Sequence, residues 1–428
     1  MRVVKYPLES EWTALLKRPA LHDRELPAQV ASIIDDVRLR GDAALFDYTA
    51  RFDGVDLDSF PVSAAEFAEA EAAVPQTLKD AIRTAAANIE RFHKGESFDG
   101  FRIETSPGVE CWKKWLPIER VGLYVPAGSA PLFSTMMMLA IPARIAGCRE
   151  VIACSPAAAD GRIDAATLFT ARLCGVTKVF KVGGAQAVAA MAFGTESIPG
   201  VFKIFGPGNA YVTEAKLQIM REGVGIDMPA GPSEVAVLAD QTCIPSFVAA
   251  DLLSQAEHGP DSQVVLVSTS EQVINDTLAE LERQIVRLPR QGTARRALEN
   301  STAILLDSIA CGLKLLNDYA PEHLIIATEN AEVIAEGVTN AGSVFIGNYS
   351  CESAGDYASG TNHTLPTNGA ARSFSGVSTA SFMRSVTYQK LTAEGIRGLG
   401  PVIETLAEAE GLAAHKNAVT IRREALGL

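Results

Sequence analysis

Histidines in the C-terminal half of the chain lie close to side chains that can bind a metal or carry a proton. These neighbourhoods are Gln255, Glu257 and His258 in DLLSQAEHGPDSQ, Glu322 and His323 in APEHL, Asp356 and His363 in GDYASGTNHTLP, and Glu410 and His415 in AEGLAAHKNAVT. Imidazole nitrogens and carboxylate oxygens together suit a borderline metal such as Zn²⁺. Gln255 and His258 are three residues apart and would share one face of a helix. That pair is either the polar end of a helix or half of a metal site.

The dipeptide formed by Glu322 and His323 carries a geometric constraint. Adjacent residues of a strand point to opposite faces, so both can serve one site only from the loop that precedes the strand HLIIAT. Pro321 disfavours helix at this point. The dipeptide is therefore either a catalytic acid/base pair at the entrance of a strand or an ordinary surface turn. His22 and His93 lie in charged contexts and are expected to be ordinary core or surface histidines.

Two glycine-rich turns each follow a strand-like run and open a helical segment. Gly183-Gly184-Ala185-Gln186 follows KVFKV, and Gly206-Pro207-Gly208-Asn209 follows VFKIF. Helix amides at such turns can bind a phosphate or another anion. Neither turn matches the GxGxxG pattern. In the second turn, the sixth position counted from Gly206 is Tyr211, which is too bulky for the close helix–strand packing that the third glycine allows. The turns indicate either an anion site or tight turns that need glycine for their backbone angles.

The composition weighs against several classes of protein. The 428 residues are 47% hydrophobic and 21% charged, which is typical of a soluble globular protein with two or three domains. No apolar run approaches the roughly 18 residues of a membrane span, and MRVVKYPLES lacks a signal-peptide core, so we expect a cytoplasmic protein with no membrane partner. The net charge of −13 disfavours nucleic acid. Seven cysteines without a CxxC pair argue against disulfides or a thiolate zinc site.

Short apolar runs alternate with alanine-rich helical segments from Val121 onwards, which is typical of parallel sheets covered by helices. The predicted strands are residues 121–125, 150–155, 178–182, 201–205, 234–239, 263–267, 303–307, 323–328 and 343–347. Because these are many strands for one sheet, we predict an α/β fold with two Rossmann-like lobes that divide near residues 227–235. Residues 27–92 are predicted to be helical. The tail beyond about Ser378 is predicted to be helical as well, with a break at Gly411 and no further strands.

Several blocks of the sequence closely resemble the histidinol dehydrogenase family and occur in that family's order. They are RVGLYVPAGSAPLFSTMMMLAIPARIAGC, KVGGAQAVAAMAFGTESIP, IFGPGNAYVTEAK, IDMPAGPSEV, DLLSQAEHGPDSQ, APEHL, CESAGDYASGTNHTLPTNGAAR and AEGLAAHKNAVT. The resemblance covers nearly the whole chain and is weakest in the first hundred residues. It implies oxidation of L-histidinol to L-histidine through bound L-histidinaldehyde, with reduction of two NAD⁺, in the final steps of histidine biosynthesis.

The resemblance also implies roles for individual residues. It implies one Zn²⁺ per subunit with the ligands Gln255, His258, Asp356 and His415. It implies Glu322 and His323 as the catalytic acid/base pair. It implies substrate contacts at Ser233, Gln255, His258, His323, Asp356, Glu410 and His415, and NAD contacts at Tyr124, Gln186 and Asn209. Histidinol offers an imidazole and an amine that can chelate zinc, so the metal is expected mainly to orient the substrate.

A homodimer is a further implication of the resemblance. Its helical C-terminal tail would be exchanged, so that Glu410 and His415 come from the partner chain and one chain alone holds an incomplete metal site. The predicted divisions are an N-terminal extension that packs with the tail (1–20), a first α/β domain with the metal and catalytic residues (21–123 and 233–378), a second, NAD-binding α/β domain (124–232) and a dimerisation tail (379–428).

Three alternatives can be weighed on the sequence. A thiol route for aldehyde oxidation needs an activated cysteine, but Cys148 and Cys154 have no adjacent histidine or cation that lowers the thiol pKa convincingly, and both are expected to be buried apolar side chains. A sister dehydrogenase acting on a sulfonated diol could keep Glu322, His323 and the zinc, yet the acidic Glu410 argues against an anionic substrate. A non-enzymatic metal-binding protein on this fold would lack some catalytic positions, and none is missing.

Overall fold

The structure of the chain is a computed structural model that describes residues 1–19, 25–127, 131–229 and 231–428. Its strands are β1 (Arg2–Lys5), β2 (Phe101–Ser106), β3 (Val109–Pro117), β4 (Arg120–Tyr124), β5 (Glu150–Ser155), β6 (Lys178–Lys181), β7 (Lys203–Phe205), β8 (Gly225–Ile226), β9 (Glu234–Ala239), β10 (Gln263–Ser268), β11 (Thr302–Leu305), β12 (His323–Ala327), β13 (Ser343–Ile346) and β14 (Met383–Leu391). Its α-helices are α1 (Trp12–Leu15), α2 (Leu26–Arg40), α3 (Asp42–Tyr48), α4 (Ala64–Ala73), α5 (Gln76–His93), α6 (Phe133–Ala146), α7 (Ala165–Cys174), α8 (Gly184–Phe193), α9 (Ala210–Met220), α10 (Pro245–Ala256), α11 (Glu271–Ile285), α12 (Gln291–Glu299), α13 (Ile309–Tyr319), α14 (Ala331–Ala335), α15 (Glu352–Tyr357), α16 (Ala393–Ala409) and α17 (Ala413–Glu424). Within the described ranges, no helix is both long and apolar enough to cross a membrane.

The first sheet is parallel throughout, with the spatial order β1-β11-β10-β9-β12-β13. Every residue of β9, β10 and β12 is buried, as expected for parallel strands that helices cover on both faces. The register pairs His323 with Val235 on one side and with Ser343 on the other. The amino ends of β9, β12 and β13 therefore lie side by side, and residues just before these strands meet at one edge.

The second sheet is also parallel, with the spatial order β6-β5-β4-β7-β8. Its carboxyl edge carries the two glycine-rich turns, in which Gly183 caps α8 and Asn209 caps α9. The Asn209 side chain accepts a hydrogen bond from the Val212 amide (3.1 Å). Gly206 has a φ of 124°, and a Cβ on it would collide with the Tyr124 carbonyl oxygen. This turn therefore needs glycine for its backbone conformation.

The predicted parallel strands are confirmed. Each predicted run forms a strand in one of the two parallel sheets, with bounds that differ by one or two residues at most. The helical character of residues 27–92 is confirmed as well. Large apolar side chains fill both faces of each sheet, with Leu123 and Ile152 on opposite faces of the second sheet and Val264 and Val265 on opposite faces of the first.

The N-terminal helices pack on the layer that covers the second sheet. α2 packs on α8 and α9, α4 packs on α7, and α5 packs on α6. The sequence grouped residues 21–123 with the first sheet in one domain. The apolar stripe in the sequence of an amphipathic helix predicts a buried face, but it does not predict which sheet that face covers. Residues 2–5 form the edge strand of the first sheet. The domain divisions and the contact between residues 1–20 and the tail stay predictions.

The expectation that strands stop beyond about Ser378 is wrong. β14 pairs antiparallel with β3, and β3 with β2, in a third sheet of order β14-β3-β2. These strands mix charged with aromatic residues, such as Trp112 stacked on Tyr388 (5.3 Å between ring centroids). They therefore lack the continuous apolar runs that identify buried parallel strands. The helical end of the tail is confirmed, since α16 and α17 are separated at Gly411, which has a φ of 73°.

A buried ion pair holds the turn after β7. The side chains of Lys216 and Asp227 are paired at 3% and 1% exposure. Lys216 Nζ also donates to the Gly206 carbonyl oxygen (2.9 Å), and the Gly206 amide donates to Asp227 Oδ2 (2.7 Å). One ion pair thus binds both backbone groups of the glycine, which fixes the position of this turn at the edge of the second sheet.

Replacing Lys216 by methionine should lower the free energy of unfolding by about 3 kcal/mol or more, because the Asp227 carboxylate would stay buried without a counter-charge. Guanidinium chloride unfolding followed by circular dichroism measures the change. The matched control is Arg149→Met, which breaks the exposed Arg149–Glu119 pair (3.1 Å) and should cost less than about 1 kcal/mol. Equal losses in the two variants would contradict this role of the buried pair.

Candidate functional site

Two of the predicted metal ligands lie at the carboxyl end of α10. Gln255 belongs to the last turn of the helix, and the His258 amide donates to the Gln255 carbonyl oxygen (3.2 Å). The Gln255 side chain is 2% exposed, and its Nε2 lies 2.9 Å from His323 Nδ1. His258 is exposed and lines a cavity. One helix end therefore supplies a buried amide and an accessible imidazole.

Glu322 and His323 lie at the amino edge of the first sheet. Glu322 directly precedes β12, His323 is its first residue, and the two are 7% and 3% exposed. Glu322 Oε2 accepts a hydrogen bond from the Glu234 amide (2.9 Å) and lies 3.6 Å from His323 Nδ1. His323 Nδ1 also lies 3.1 Å from the Glu234 carbonyl oxygen. The dipeptide is therefore a buried acid–imidazole pair and not a surface turn.

The short helix α15 brings two further carboxylates to His323. Asp356 Oδ1 lies 3.5 Å from His323 Nε2. Glu352, one helical turn earlier, is fully buried. Ligand atoms of His323, Glu352 and Asp356 all lie within 4.8 Å of one another. The spacing of four residues places both carboxylates on the same face of the helix, towards the imidazole.

The buried carboxylates shift the pKa of their neighbours. Burial raises the pKa of Glu322 to about 8 and the pKa of Glu352 well above its usual range. Burial would lower the pKa of His323, but Glu322, Glu352 and Asp356 outweigh it and raise that pKa to about 10. Burial would raise the pKa of Asp356, but attraction to the nearby His323 outweighs it and lowers that pKa. The raised pKa values of Glu322 and Glu352 show that the cluster holds more carboxyl groups than can stay ionised beside one imidazole.

Several buried polar atoms of this cluster have no hydrogen-bond partner among the residues that the structure describes. They are Gln255 Oε1, His323 Nε2 and both carboxylate oxygens of Glu352. Leaving such a group unpaired costs about 1–3 kcal/mol, and a divalent cation would satisfy the oxygens and balance the charge. Although His258 is open to the cavity, partial desolvation of its imidazole lowers its pKa against the opposing effect of Asp356, and this favours the neutral form that metal binding requires. The donor set fits Zn²⁺.

The residues predicted to contact a dinucleotide lie at the carboxyl edge of the second sheet. Tyr124 ends β4, and its hydroxyl accepts a hydrogen bond from the Gly184 amide (3.1 Å). Burial raises the pKa of Tyr124 to about 12, so its hydroxyl stays protonated at neutral pH. Gln186 is buried in the first turn of α8, and Asn209 is exposed at the start of α9. Parallel α/β sheets bind ligands at this edge.

A cavity of about 1080 Å³ lies between the edges of the two sheets. Asn209 lines it from the second sheet, while Ser233 and His258 line it from the first. Ser233 directly precedes β9, and its carbonyl oxygen accepts a hydrogen bond from the Gln263 amide (3.2 Å). Of the predicted site residues, the cavity is lined by Asn209 from the dinucleotide set and by Ser233 and His258 from the substrate set.

Glu410 and His415 lie apart from this centre. Glu410 follows α16, His415 belongs to α17, and both are exposed. Across the described ranges, the hydrogen bonds and ion pairs of the chain do not join either residue to Gln255, His258 or Asp356. Gln255 and Asp356 therefore both lie next to His323, and His258 is near enough to Asp356 to be affected by its charge, whereas His415 lies on the tail.

The other histidines have structural contacts. His93 is buried, and its Nδ1 lies 2.9 Å from Glu96 Oε1, as expected for a core histidine. His363 Nδ1 donates to the Asp356 carbonyl oxygen (2.8 Å) and so helps to hold α15 in place. His22 lies outside the described residues. The histidines that meet at the candidate centre are therefore those at positions 258 and 323, with His363 behind it.

The two cysteines weighed for a thiol route are not activated. Cys154 is fully buried in β5, and the Cys148 thiol donates to the Phe382 carbonyl oxygen (3.8 Å). Burial raises the pKa of the Cys148 thiol to about 12 and raises the pKa of Cys154 as well. Both thiols are protonated at neutral pH, so neither supplies a thiolate nucleophile.

Sequence reasoning missed Glu352, Glu234 and Arg18. Glu352 lies four residues before Asp356 in CESAGD, and this helical spacing is a signal that could have found it. Glu234 contacts both members of the acid–imidazole pair through its backbone, and its carboxylate accepts hydrogen bonds from Arg18. No local pattern connects two residues that lie 216 positions apart in the chain.

An acid–imidazole pair at a candidate metal centre, beside a cavity between two parallel sheets, defines an α/β enzyme with acid–base chemistry. A family profile described as histidinol dehydrogenase matches residues 16–423. The chain is 54% identical over 426 residues to histidinol dehydrogenase of Bacteroides thetaiotaomicron, covering 100% of both chains. It is 57% identical over 394 residues to that of Xanthomonas axonopodis pv. citri, covering 92% of this chain and 91% of the relative.

A solved structure agrees with these relatives. The crystal structure of histidinol dehydrogenase from Elizabethkingia anophelis matches with a TM-score of 0.97 and 52% identity, covering 100% of this chain and 99% of that one. The chain belongs to the histidinol dehydrogenase family, whose members are NAD-dependent oxidoreductases. The family resemblance and the α/β fold with parallel sheets and a helical C-terminus are thereby confirmed.

Asp356→Asn should weaken Zn²⁺ binding by at least about 10- to 100-fold, since even changes to the groups that merely orient ligands cost that much. The substitution replaces a charged oxygen beside His323 by a neutral amide. Competition with a chromophoric chelator on metal-stripped protein measures the affinity. Asp276→Asn is the control, because Asp276 is an exposed carboxylate on α11. If Asp356→Asn bound Zn²⁺ as tightly as the control, Asp356 would not be a ligand.

Proposed function

We propose that the chain oxidises L-histidinol to L-histidine through bound L-histidinaldehyde, with two NAD⁺ as hydride acceptors, in the final steps of histidine biosynthesis. One Zn²⁺ per subunit would be held by Gln255, His258, Asp356 and His415. Membership of the family supports histidinol oxidation in this pathway. The observation that carries the mechanism is the buried His323 imidazole, whose Nε2 has no hydrogen-bond partner among the described residues and lies 3.5 Å from Asp356 Oδ1.

His323 is the base in the first oxidation. Its Nε2 faces the candidate metal centre and accepts the proton of the substrate hydroxyl as the hydride leaves the neighbouring carbon. Burial favours the neutral imidazole, but Glu322, Glu352 and Asp356 raise its pKa to about 10 when no cation is bound, so His323 accepts this proton only where bound zinc and substrate offset their charge. When bound, Zn²⁺ would supply chelation of the imidazole and amine of the substrate and so orient the hydroxyl.

Glu322 acts after the first oxidation. The aldehyde must add one water before a second hydride can leave, and Glu322 is the acid–base group beside His323 that can take a proton from this water. Burial raises the pKa of Glu322 to about 8, so this carboxyl group can exchange a proton near neutral pH. As water adds, protonated His323 returns its proton to the aldehyde oxygen, and it can then accept a proton again during the second oxidation. Because both groups are buried, the aldehyde stays enclosed between the two steps.

The charge of the site favours a cationic substrate. Glu322, Glu352 and Asp356 lie close to one another, and their mutual repulsion contributes to the raised pKa of Glu352 after the larger effect of burial. The amine and imidazole of histidinol would compensate this charge, whereas the sulfonate of a sulfonated diol would add to it. The carboxylates therefore support histidinol over the sister reaction on an anionic alcohol.

The dinucleotide would bind at the carboxyl edge of the second sheet, in contact with Tyr124, Gln186 and Asn209. Asn209 lines the same cavity as Ser233 and His258, which supports a hydride acceptor placed opposite the substrate. The start of α9 offers backbone amides to a phosphate group. Ser233, which directly precedes β9, would contact the substrate.

Glu410 and His415 would enter the site of a second chain in a homodimer. Apolar side chains of the tail are exposed in the single chain, among them Leu406 at 61% and Ile421 at 50% exposure. Such surface favours association with another protein surface. His415 would complete the zinc ligands of the other subunit, and Glu410 would balance the charge of its substrate.

The zinc-loaded protein should form two NADH for each L-histidinol consumed and should not oxidise a sulfonated diol. His323→Ala should fold and keep its zinc, because His323 is not a proposed ligand, while kcat falls by about 10²- to 10⁴-fold, as expected for loss of a general base. Steady-state NADH absorbance, circular dichroism and metal analysis measure these quantities. A wild-type protein that leaves L-histidinol unchanged would remove the proposed function, and surviving activity in the variant would remove the proposed base.

Mixed dimers test whether the tail supplies His415 to the partner. His258→Ala and His415→Ala should each inactivate a homodimer. In a mixed dimer of the two variants, exchange leaves one site with both residues intact, so about half of the wild-type activity per dimer should return. If each chain used its own His415, both sites of this dimer would lack one ligand and no activity would return.

The reciprocal mixture is the matched control. A wild-type chain is paired with a chain that carries both His258→Ala and His415→Ala. Under tail exchange each site of this dimer lacks one ligand, so it should be inactive. A half-active dimer in this control, together with an inactive one in the first mixture, would show that the ligands come from one chain.

A further inference from the structure

Glu234 contacts both members of the buried acid–imidazole pair through its backbone. Its N–H donates to Glu322 Oε2 (2.9 Å), and its carbonyl oxygen lies 3.1 Å from His323 Nδ1. Glu234 is the first residue of β9, which neighbours β12, and β12 begins at His323. The register of these two strands therefore aligns the backbone of one residue with both side chains that the proposed reaction uses.

The Glu234 side chain is anchored from a distant part of the chain. Arg18 donates from Nη2 to Glu234 Oε2 (2.8 Å) and from Nε to Oε1, and the Asn368 amide donates to Oε1 (2.8 Å). The two charged side chains are 16% and 2% exposed. Arg18 also donates to the Tyr319 carbonyl oxygen (2.9 Å), and its guanidinium lies 4.0 Å from the centre of the Tyr319 ring. Both charged groups are therefore held on several sides.

The ion pair is better suited to fixing geometry than to stabilising the fold. Desolvation of two buried charges offsets much of their attraction, so such a pair adds little net stability over apolar side chains of similar volume. The guanidinium fork, however, makes two parallel hydrogen bonds to one carboxylate and so restrains its orientation. Restraint of the Glu234 side chain also restrains the backbone at the start of β9, where the contacts to Glu322 and His323 are made.

His323 Nδ1 has two neighbours that require opposite roles of it. The Glu234 carbonyl oxygen can only accept a hydrogen bond and therefore requires a proton on Nδ1. The Gln255 amide nitrogen, 2.9 Å away, donates and therefore requires Nδ1 without a proton. In the neutral imidazole, a proton on Nδ1 leaves Nε2 free to accept one from the substrate. The Glu234 carbonyl thus favours the tautomer that a base needs, and Gln255 favours the other.

We propose that Arg18 and Glu234 are positioning residues for Glu322 and His323. The ion pair fixes the backbone of Glu234, whose carbonyl oxygen keeps the His323 proton on Nδ1 and whose N–H orients the Glu322 carboxyl group. This inference rests on the proposed function, in which His323 Nε2 accepts the substrate proton. Because neither residue touches the reacting atoms, their loss acts on the catalytic step and not on substrate or metal binding.

Steady-state kinetics of the zinc-loaded enzyme separate these effects. Arg18→Ala and Glu234→Ala should each lower kcat by about 10- to 100-fold, as changes to groups that orient active-site ligands do. The KM values for L-histidinol and NAD⁺ and the zinc content should stay as in the wild type. Glu234→Gln keeps an oxygen acceptor of similar shape and should recover most of kcat. Arg18→Lys keeps the charge but not the fork and should recover only part of it.

A spectroscopic readout tests the tautomer without any turnover. Nuclear magnetic resonance of isotope-labelled histidine ring nitrogens reports which nitrogen of His323 carries the proton, and the His323→Ala spectrum assigns its signals. In the zinc-loaded wild type, where the metal offsets the carboxylates and leaves the imidazole neutral, the proton should be on Nδ1. Glu234→Ala should move it to Nε2, because Gln255 would then be the remaining partner of Nδ1. A structural role of the ion pair alone would not change this signal.

Glu66→Ala is the matched control. It breaks the largely buried Lys181–Glu66 pair (3.2 Å; side chains 11% and 22% exposed), so it should lower the melting temperature and leave kcat and the His323 signal unchanged. Full kcat and an unchanged tautomer in Glu234→Ala would overturn the inference. If Glu234→Ala does not fold, Arg18→Lys provides the test. A loss of kcat at constant KM in Arg18→Lys supports the inference, and full kcat overturns it.

A wild-type protein that does not oxidise L-histidinol would overturn the proposed function instead. The His323 signal would still report whether Glu234 places the proton.

Discussion

Negative charge buried at the amino edge of the first sheet is the constraint on which the site depends. Glu322, Glu352 and Asp356 surround one imidazole, and burial raises the pKa of two of these carboxyl groups. Ionised groups can stay in such a place only if hydrogen bonds or opposite charge compensate for lost hydration. The chain supplies part of this compensation through the hydrogen bond from the Glu234 N–H and through the His323 imidazole. The part of the lost hydration that the chain does not replace explains why the centre would accept both a divalent cation and a cationic substrate.

The parallel strands could be predicted from sequence because burial on both faces makes each of them a continuous apolar run, such as EVAVLA in β9. The same rule missed β2, β3 and β14, which are partly exposed and mix lysine and arginine with aromatic residues. Their pairing also joins residues 383–391 to residues 109–117, and no local pattern connects these segments. The tail was therefore expected to be wholly helical, although only its last two elements are.

Local spacing identified those site residues whose relation lies within one helix end or one strand end. Gln255 and His258 share the end of α10, and Glu322 and His323 share the start of β12, yet spacing left both pairs open until burial was known. The contact of Glu234 with the second pair arises from the register of β9 against β12, which the sequence of either strand does not contain. The site therefore consists of locally predictable pairs joined by contacts that depend on sheet topology.

In both parallel sheets, a nearly buried ion pair holds the backbone at an edge that faces the cavity. In the second sheet, the ion pair of Lys216 and Asp227 holds the carbonyl oxygen and amide of Gly206. In the first sheet, Arg18 holds the Glu234 carboxylate, and the backbone of Glu234 contacts Glu322 and His323. Each ion pair is nearly buried and contributes less stability than its attraction suggests. Each ion pair instead restrains the backbone at a strand end. Such restraint matters because the geometry of a catalytic site must be held to within about 0.5 Å.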